Sequence, residues 1–163
     1  LDDALMLECA SRVRRQAHLA SERTLVRILR SFVDVRNRNK LARSEGTDAQ
    51  GQLDHLSQEL LLATLPRFCA RHRHLHLVDL SSALSVYAKS FREPYAQLFD
   101  ACRSNIVERS EPSRLARSEL HRSEFIWHMP FILVSYAQAG CDCRDVFDAT
   151  LPFFEEHLPD IPY

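Results

Sequence analysis

The chain has 163 residues, of which 45% are hydrophobic and 26% charged, a globular composition that excludes a disordered chain and suffices for a real core. Only 3 glycines are present, which argues against collagen, flexible linkers and glycine-loop nucleotide folds. The net charge of -1 hides a polar distribution: ten basic side chains face only Glu22 and Asp34 between Cys9 and Arg43, whereas six acids accompany Arg144 from Cys141 to Tyr163.

Helical spacing recurs along the whole chain, and alternating strand patterns are almost absent. Leu5 to Leu19 opens as a helix. Ser21 is placed to cap the next one, in which Leu25, Ile28, Leu29 and Phe32 fall at i, i+3, i+4 and i+7. Residues 37–52 are polar, contain Gly46 and Gly51, and read as a long loop before a helix over Leu53 to Phe68. Asp79 precedes the stripe Leu80, Leu84, Tyr87, Ala88 and Phe91. Pro94, suited to a first helical position, precedes Tyr95, Leu98, Phe99, Cys102 and Ile106. Ser110 to Ser118, with Pro112, reads as a second loop. Leu133, Tyr136 and Ala137 follow Pro130 and stop at Gly140, a good helix-terminating residue. Asp142 can cap a last stripe of Phe147, Leu151, Phe154 and Leu158, which brings the total to about seven helices.

Short segments recur. Ala63-Thr64-Leu65-Pro66 returns as Ala149-Thr150-Leu151-Pro152, and Leu98-Phe99-Asp100-Ala101 returns as Val146-Phe147-Asp148-Ala149. Leu84 to Lys89 matches Leu133 to Gln138, which aligns Tyr87 with Tyr136. A helix-hairpin repeat with loop insertions is expected, with Tyr87 and Tyr136 in equivalent core positions and Phe99 and Phe147 opposite them. Pro66 and Pro152 mark either a shared bend in the second helices or the point where each helix ends. The whole chain, 1–163, is thus expected to be a single all-α domain. Its form would be a short alpha-solenoid of about three helical hairpins, near 21–76, 79–109 and 123–158, plus an N-terminal helix.

The pairing of a Leu-x-x-Tyr-Ala-(Lys/Gln) helix with a (Leu/Val)-Phe-Asp-Ala helix resembles the heptatricopeptide and octotricopeptide repeats of organelles, relatives of FAST-kinase-like proteins. The likeness covers about Asp79 to Leu158 well and Leu25 to Cys69 loosely. It departs from that class in its lengthened loops and in lacking the RAP-type terminal domain that often follows such repeats. The resemblance implies organellar RNA binding, in RNA processing or within a mitochondrial ribosome, and so a mitochondrial location.

The chemistry of the side chains points the same way. Arg23, Arg27 and Arg30 stand opposite the Leu25–Phe32 stripe and form a basic face. Arg12, Arg14 and Arg15 precede it, and Arg36, Arg38, Lys40 and Arg43 continue it. Guanidinium groups bind phosphate through a planar fork and stack on bases, so these residues, with Arg71 and Arg73, are the expected RNA contacts. A solvated face in an arginine-rich chain would explain the Arg/Lys ratio but not the segregation to one end. His72, His74 and His76 point to different sides and, like Cys141 and Cys143, lack the ligand set of a zinc site. A basic hairpin corner and a helix start suit them better. No Gly-rich phosphate loop, HExxH or GxSxG motif is present. Catalytic residues, metal and cofactor are therefore not expected.

Five scattered cysteines favour reduced, buried thiols over a disulfide framework. No apolar run approaches the roughly 20 residues of a membrane span. Asp2, Asp3 and Glu8 are too acidic for a transit peptide, and with Leu1 first the sequence is expected to be a processed chain or part of a longer one. The function expected is that of a non-enzymatic RNA-associated subunit of an organellar ribonucleoprotein, with rRNA or other organellar RNA and neighbouring proteins as partners. The rival is a protein–protein scaffold, including an accessory subunit of a respiratory or ATP synthase complex, that docks through Phe153, Phe154, Ile161 and Tyr163.

Overall fold

The computed structural model describes residues 3–42, 48–90 and 92–157. All regular elements among them are helical: α1 (Asp3–Gln16), α2 (Glu22–Ala42), α3 (Asp48–Arg71), α4 (Leu77–Lys89), α5 (Ala96–Arg109), α6 (Pro112–Leu115), α7 (Glu119–Ala139) and α8 (Arg144–His157), with three short 3-10 turns. No described helix is long and apolar enough to cross a membrane. The chain divides into two compact units, residues 1–68 and 69–163.

In the first unit, Ser21 caps α2 as its position suggests, its hydroxyl accepting from the Thr24 amide at 3.2 Å. Leu25, Leu29 and Phe32 are buried together with Val26 and Val33, and Ile28 is half-buried. Leu53, Leu60, Leu61, Leu65 and Phe68 supply the buried side of α3. Arg67 of α3 donates to Glu22 at 2.8 Å and to the carbonyls of Ala17 and Ala20 at 3.0 and 2.6 Å. Those carbonyls flank the 3-10 turn Ala17–Leu19; Ala17 O also accepts from the Ala20 amide at 3.3 Å, and the cation adds a second bond there.

The stretch 37–52, expected as a loop, is helical through Ala42 and again from Asp48; residues 43–47 lie outside the described residues. A polar run is compatible with helix when packing elsewhere along the same element holds it, and here Leu53 and Leu60 anchor α3. Gly51 sits inside that helix at a cost of up to about 1 kcal/mol relative to Ala.

In the second unit, α4 lies chiefly along α7, and α5 along α8. The expected stripes of α4 and α5 are buried at Leu80, Leu84, Tyr87, Ala88, Tyr95, Leu98, Phe99, Cys102 and Ile106; Phe91 lies outside the described residues. Pro94 enters a 3-10 turn that leads into α5. Gly140, at φ 65°, ends α7 with its amide 3.1 Å from Ala137 O and the Cys141 amide 3.1 Å from Tyr136 O, the paired bonds of a Schellman ending.

Four expectations need correction here. Pro130 does not start a helix: α7 begins at Glu119, capped by Ser118, and runs through it. Pro66 and Pro152 likewise lie inside α3 and α8 and do not end them. All three prolines are on exposed faces, where water can take up the carbonyl that each leaves unbonded. The segment 110–118 also contains a helical turn, α6, entered by Pro112.

The fourth correction concerns α8. Its buried stripe is Val146, Thr150 and Phe153, one residue out of step with the expected Phe147, Leu151 and Phe154. Phe125 of α7 sets this rotation by meeting Phe153 edge-on at 4.9 Å. Phe99 and Tyr136 also pack edge-on, at 5.0 Å, whereas Phe147 is 47% exposed. The two Phe residues therefore differ in energy. Phe99→Ala should cost about 3–5 kcal/mol and Phe147→Ala less than about 1 kcal/mol in chemical denaturation.

Candidate nucleic-acid interface

Expected contact residues fall in both units. In the first, Arg12 is exposed and 3.6 Å from Glu8; Arg14 reaches Glu59 at 2.6 Å; Arg15 donates to Ser11 O at 3.4 Å. Arg23 and Arg27 are exposed on α2, as is Arg30, which lies 3.7 Å from Asp34. The face opposite Leu25 and Leu29 is thus solvent-facing. The backbones of Arg36, Arg38 and Lys40 continue α2, but their side chains, and all of Arg43, lie outside the described residues. Surface pairs such as Arg30–Asp34 contribute at most about 1 kcal/mol, so a stronger anion can displace the carboxylate.

In the second unit, Arg71 is exposed at the end of α3, and Arg73 belongs to the turn His72–His74 that leads into α4. That turn forms one wall of an open cleft of about 570 Å³. Arg73, His74 and His76 line it from the corner, Arg109 from α5, Arg114 from α6, Arg117 and Ser118 from the link into α7, and His121 and Glu124 from the start of α7. Arginine outnumbers glutamate in this lining four to one.

The corner is held by Arg109. Its guanidinium donates to Arg73 O at 3.0 Å, to Leu75 O at 2.8 Å and to Asn105 Oδ1 at 3.1 Å. Asn105 in turn donates to His72 O at 3.4 Å, and His72 Nδ1 lies 2.8 Å from Cys69 O. Burial lowers the pKa of Arg109 from its ordinary value, but three acceptor contacts keep a cation well placed here. Arg114 is paired with Glu108 and, at 3.8 Å, with Glu111. Arg73 and Arg117 are exposed on the rim. The amino end of the long helix α7 adds a partial positive charge beside them.

Of the expected contacts in this unit, Arg73 lines the cleft and Arg71 does not; Arg109, Arg114, Arg117 and His121, which also line it, were not among those expected. Those four lie among Glu108, Glu111, Glu119 and Glu124, so no basic run marks them. Only the Arg-rich spacing on either side of Pro112 hinted at them. Among the described residues no group of three or more His, Cys, Asp or Glu side chains could hold a metal ion. Beneath the corner, burial pushes the thiols of Cys69 and Cys102 up from their ordinary range. Compared with known proteins, the chain matches no family model, no curated protein and no solved structure.

Two measurements follow from this geometry. Arg109→Ala strands the Arg73 and Leu75 carbonyls and should lower unfolding free energy by about 2–3 kcal/mol, with faster amide exchange across residues 72–77. Raised thiol pKa values also have a fixed sign. The neutral forms are favoured by the fold, so the stability they contribute is complete below the unfolded thiol pKa of about 8.5 and is lost as pH rises beyond it. The denaturation midpoint should hold up to about pH 8 and fall by about pH 10, and Cys102→Ala should reduce that fall.

Proposed function

We propose that the chain is a non-enzymatic, RNA-associated structural subunit of an organellar ribonucleoprotein, with the mitochondrial ribosome as its assembly. The observation that carries this reading is the cationic cleft between the His72–His74 turn, the end of α5 and the start of α7. Its rim offers Arg73 and Arg117 as exposed forks for phosphodiester oxygens, and the amino end of α7 favours an anion between them. His74 and His121 add flat rings on which an unstacked base can rest. In the first unit the exposed Arg23, Arg27 and Arg30 offer a second cationic surface.

The organellar setting rests on the resemblance to heptatricopeptide and octotricopeptide repeats. A short alpha-solenoid is the frame that this resemblance implies. Support for it comes from α4 lying along α7 and α5 along α8, since hairpin arrays stack first helices on first helices and second on second. A protein–protein scaffold, including an accessory subunit of a respiratory or ATP synthase complex, is the second reading. Its expected docking residues do not carry it, because Phe153 is buried and Phe154 half-buried while Ile161 and Tyr163 lie outside the described residues; the exposed apolar residues of α7 favour it instead.

Salt dependence separates the two. An unstructured RNA oligonucleotide should bind, with affinity falling by about 0.7 log units per phosphate contact for each log unit of salt. Arg73→Gln combined with Arg117→Gln should flatten that slope by about one to two units without loss of fold. Arg27→Gln with Arg30→Gln tests the α2 face in the same way. An unchanged slope in both double variants, together with particles that keep the protein after RNase treatment, would overturn the RNA reading.

A further inference from the structure

The outer face of α7 is apolar and uncovered among the described residues. Trp127, Phe131 and Val134, at i, i+4 and i+7, are 57%, 60% and 52% exposed. Single exposed apolar residues are ordinary, but a line of large ones marks an interaction surface. The internal register shows what the strip beside this line meets, the counterparts of Trp127, Phe131 and Val134 themselves being the half-buried Val78, Ser82 and Ser85. With Tyr87 aligned on Tyr136, Ser81 corresponds to Pro130, Leu84 to Leu133 and Ala88 to Ala137. Ser81, Leu84 and Ala88 of α4 are buried, and the Ser81 hydroxyl lies 3.4 Å from His128 Nδ1, so α7 is the element against this face. Pro130 and Ala137 are exposed and Leu133 is only half-buried. The second helices repeat the contrast: Phe99 is buried against Tyr136, and its counterpart Phe147 is exposed. In each pair the earlier copy is covered by α7, and no helix among the described residues covers the later copy.

Charge narrows the occupant. Asp148 follows Phe147 and stands one turn before Leu151, and Asp145, Glu155 and Glu156 are exposed on the same helix. Arg144 is the sole arginine or lysine from Cys141 onward. A helix seated here meets carboxylates along its flank, so a basic flank is complementary to it.

We propose that the outer face of α7, beside the acidic α8, docks an amphipathic helix of a partner protein that is apolar along one face and rich in lysine or arginine along its flank. This surface is separate from the RNA reading and stands whether or not the cleft holds phosphate. Trp127 is the chain's single tryptophan, so its emission reports directly on cover. The probe is a designed helix with leucines along one face and lysines elsewhere, and its control carries the same leucines with glutamates. The lysine probe should move the Trp127 emission to shorter wavelength, saturating at one helix per chain. The glutamate control should bind about tenfold more weakly or not at all. Phe131→Ser, a change at an exposed position, should abolish the response while leaving thermal unfolding unaltered. Equal responses to the two probes, or none to either, would overturn the proposal. So would a shift produced by raising the concentration of the protein alone with sedimentation as a dimer, since a second copy would then be the occupant.

Discussion

The phenol of Tyr136 joins the two layers of the second unit. Its ring meets Phe99 edge-on at 5.0 Å, and its hydroxyl donates to Phe99 O at 2.6 Å. A carbonyl inside a helix already accepts one backbone bond, so the second bond fixes position without disrupting α5. Burial pushes the Tyr136 phenol far above its ordinary range, which keeps the donor proton in place into alkaline pH. With α7 tied to α5 in this way, Phe125 is set against Phe153 and the rotation of α8 follows. That rotation turns Phe147 and Leu151 outward.

Arginine has two separate roles in this chain, and surroundings rather than residue type divide them. Arg67, Arg103 and Arg109 are engaged with backbone carbonyls at helix ends and corners. Arg67 holds the α1–α2 connection, Arg103 donates to Asp142 O at 2.8 Å ahead of α8, and Arg109 holds the turn before α4. The planar fork with several donors suits this work better than lysine, which fits a composition of 19 Arg to 2 Lys. Arg27, Arg73 and Arg117 are on the surface, where phosphate can compete for them. A basic side chain counts toward a nucleic-acid surface only after those bound to carbonyls are set aside.

The recurring Ala-Thr-Leu-Pro segment shows how a helix carries an internal proline. Thr64 and Thr150 are both buried, and both hydroxyls turn back onto their own helix, Thr64 to Leu60 O at 2.9 Å and Thr150 to Phe147 O at 3.0 Å. The proline two residues later faces outward in each case. The threonine hydroxyl is thus satisfied within its own helix, and the proline leaves its unbonded carbonyl near solvent. Similar local solutions at Pro66 and Pro152 occur although Leu65 is buried and Leu151 is 38% exposed. Local sequence sets the turn, and packing sets what the neighbouring side chain meets.

Helix content was legible because apolar spacing, the Ser21 cap, the Pro94 entry and the Gly140 ending are local: each depends on side chains within a turn or so of one another. The exposed α2 arginines were legible for the same reason, since a buried stripe of Leu25, Leu29 and Phe32 leaves its opposite face to water. Helix ends at 37–52 and at Pro130 were not, because polar composition and a lone proline lower helix propensity by amounts that packing along the rest of the element offsets. The rotation of α8 and the cleft around Arg109 were also beyond reach. Both arise where segments far apart in sequence meet: Phe125 with Phe153, and Arg109 with Arg73 and Leu75. The sequence by itself determined that the chain is helical and where it is basic; only the tertiary structure decided which apolar faces are covered and which arginines are engaged with backbone carbonyls, because both depend on contacts between residues that no local pattern brings together.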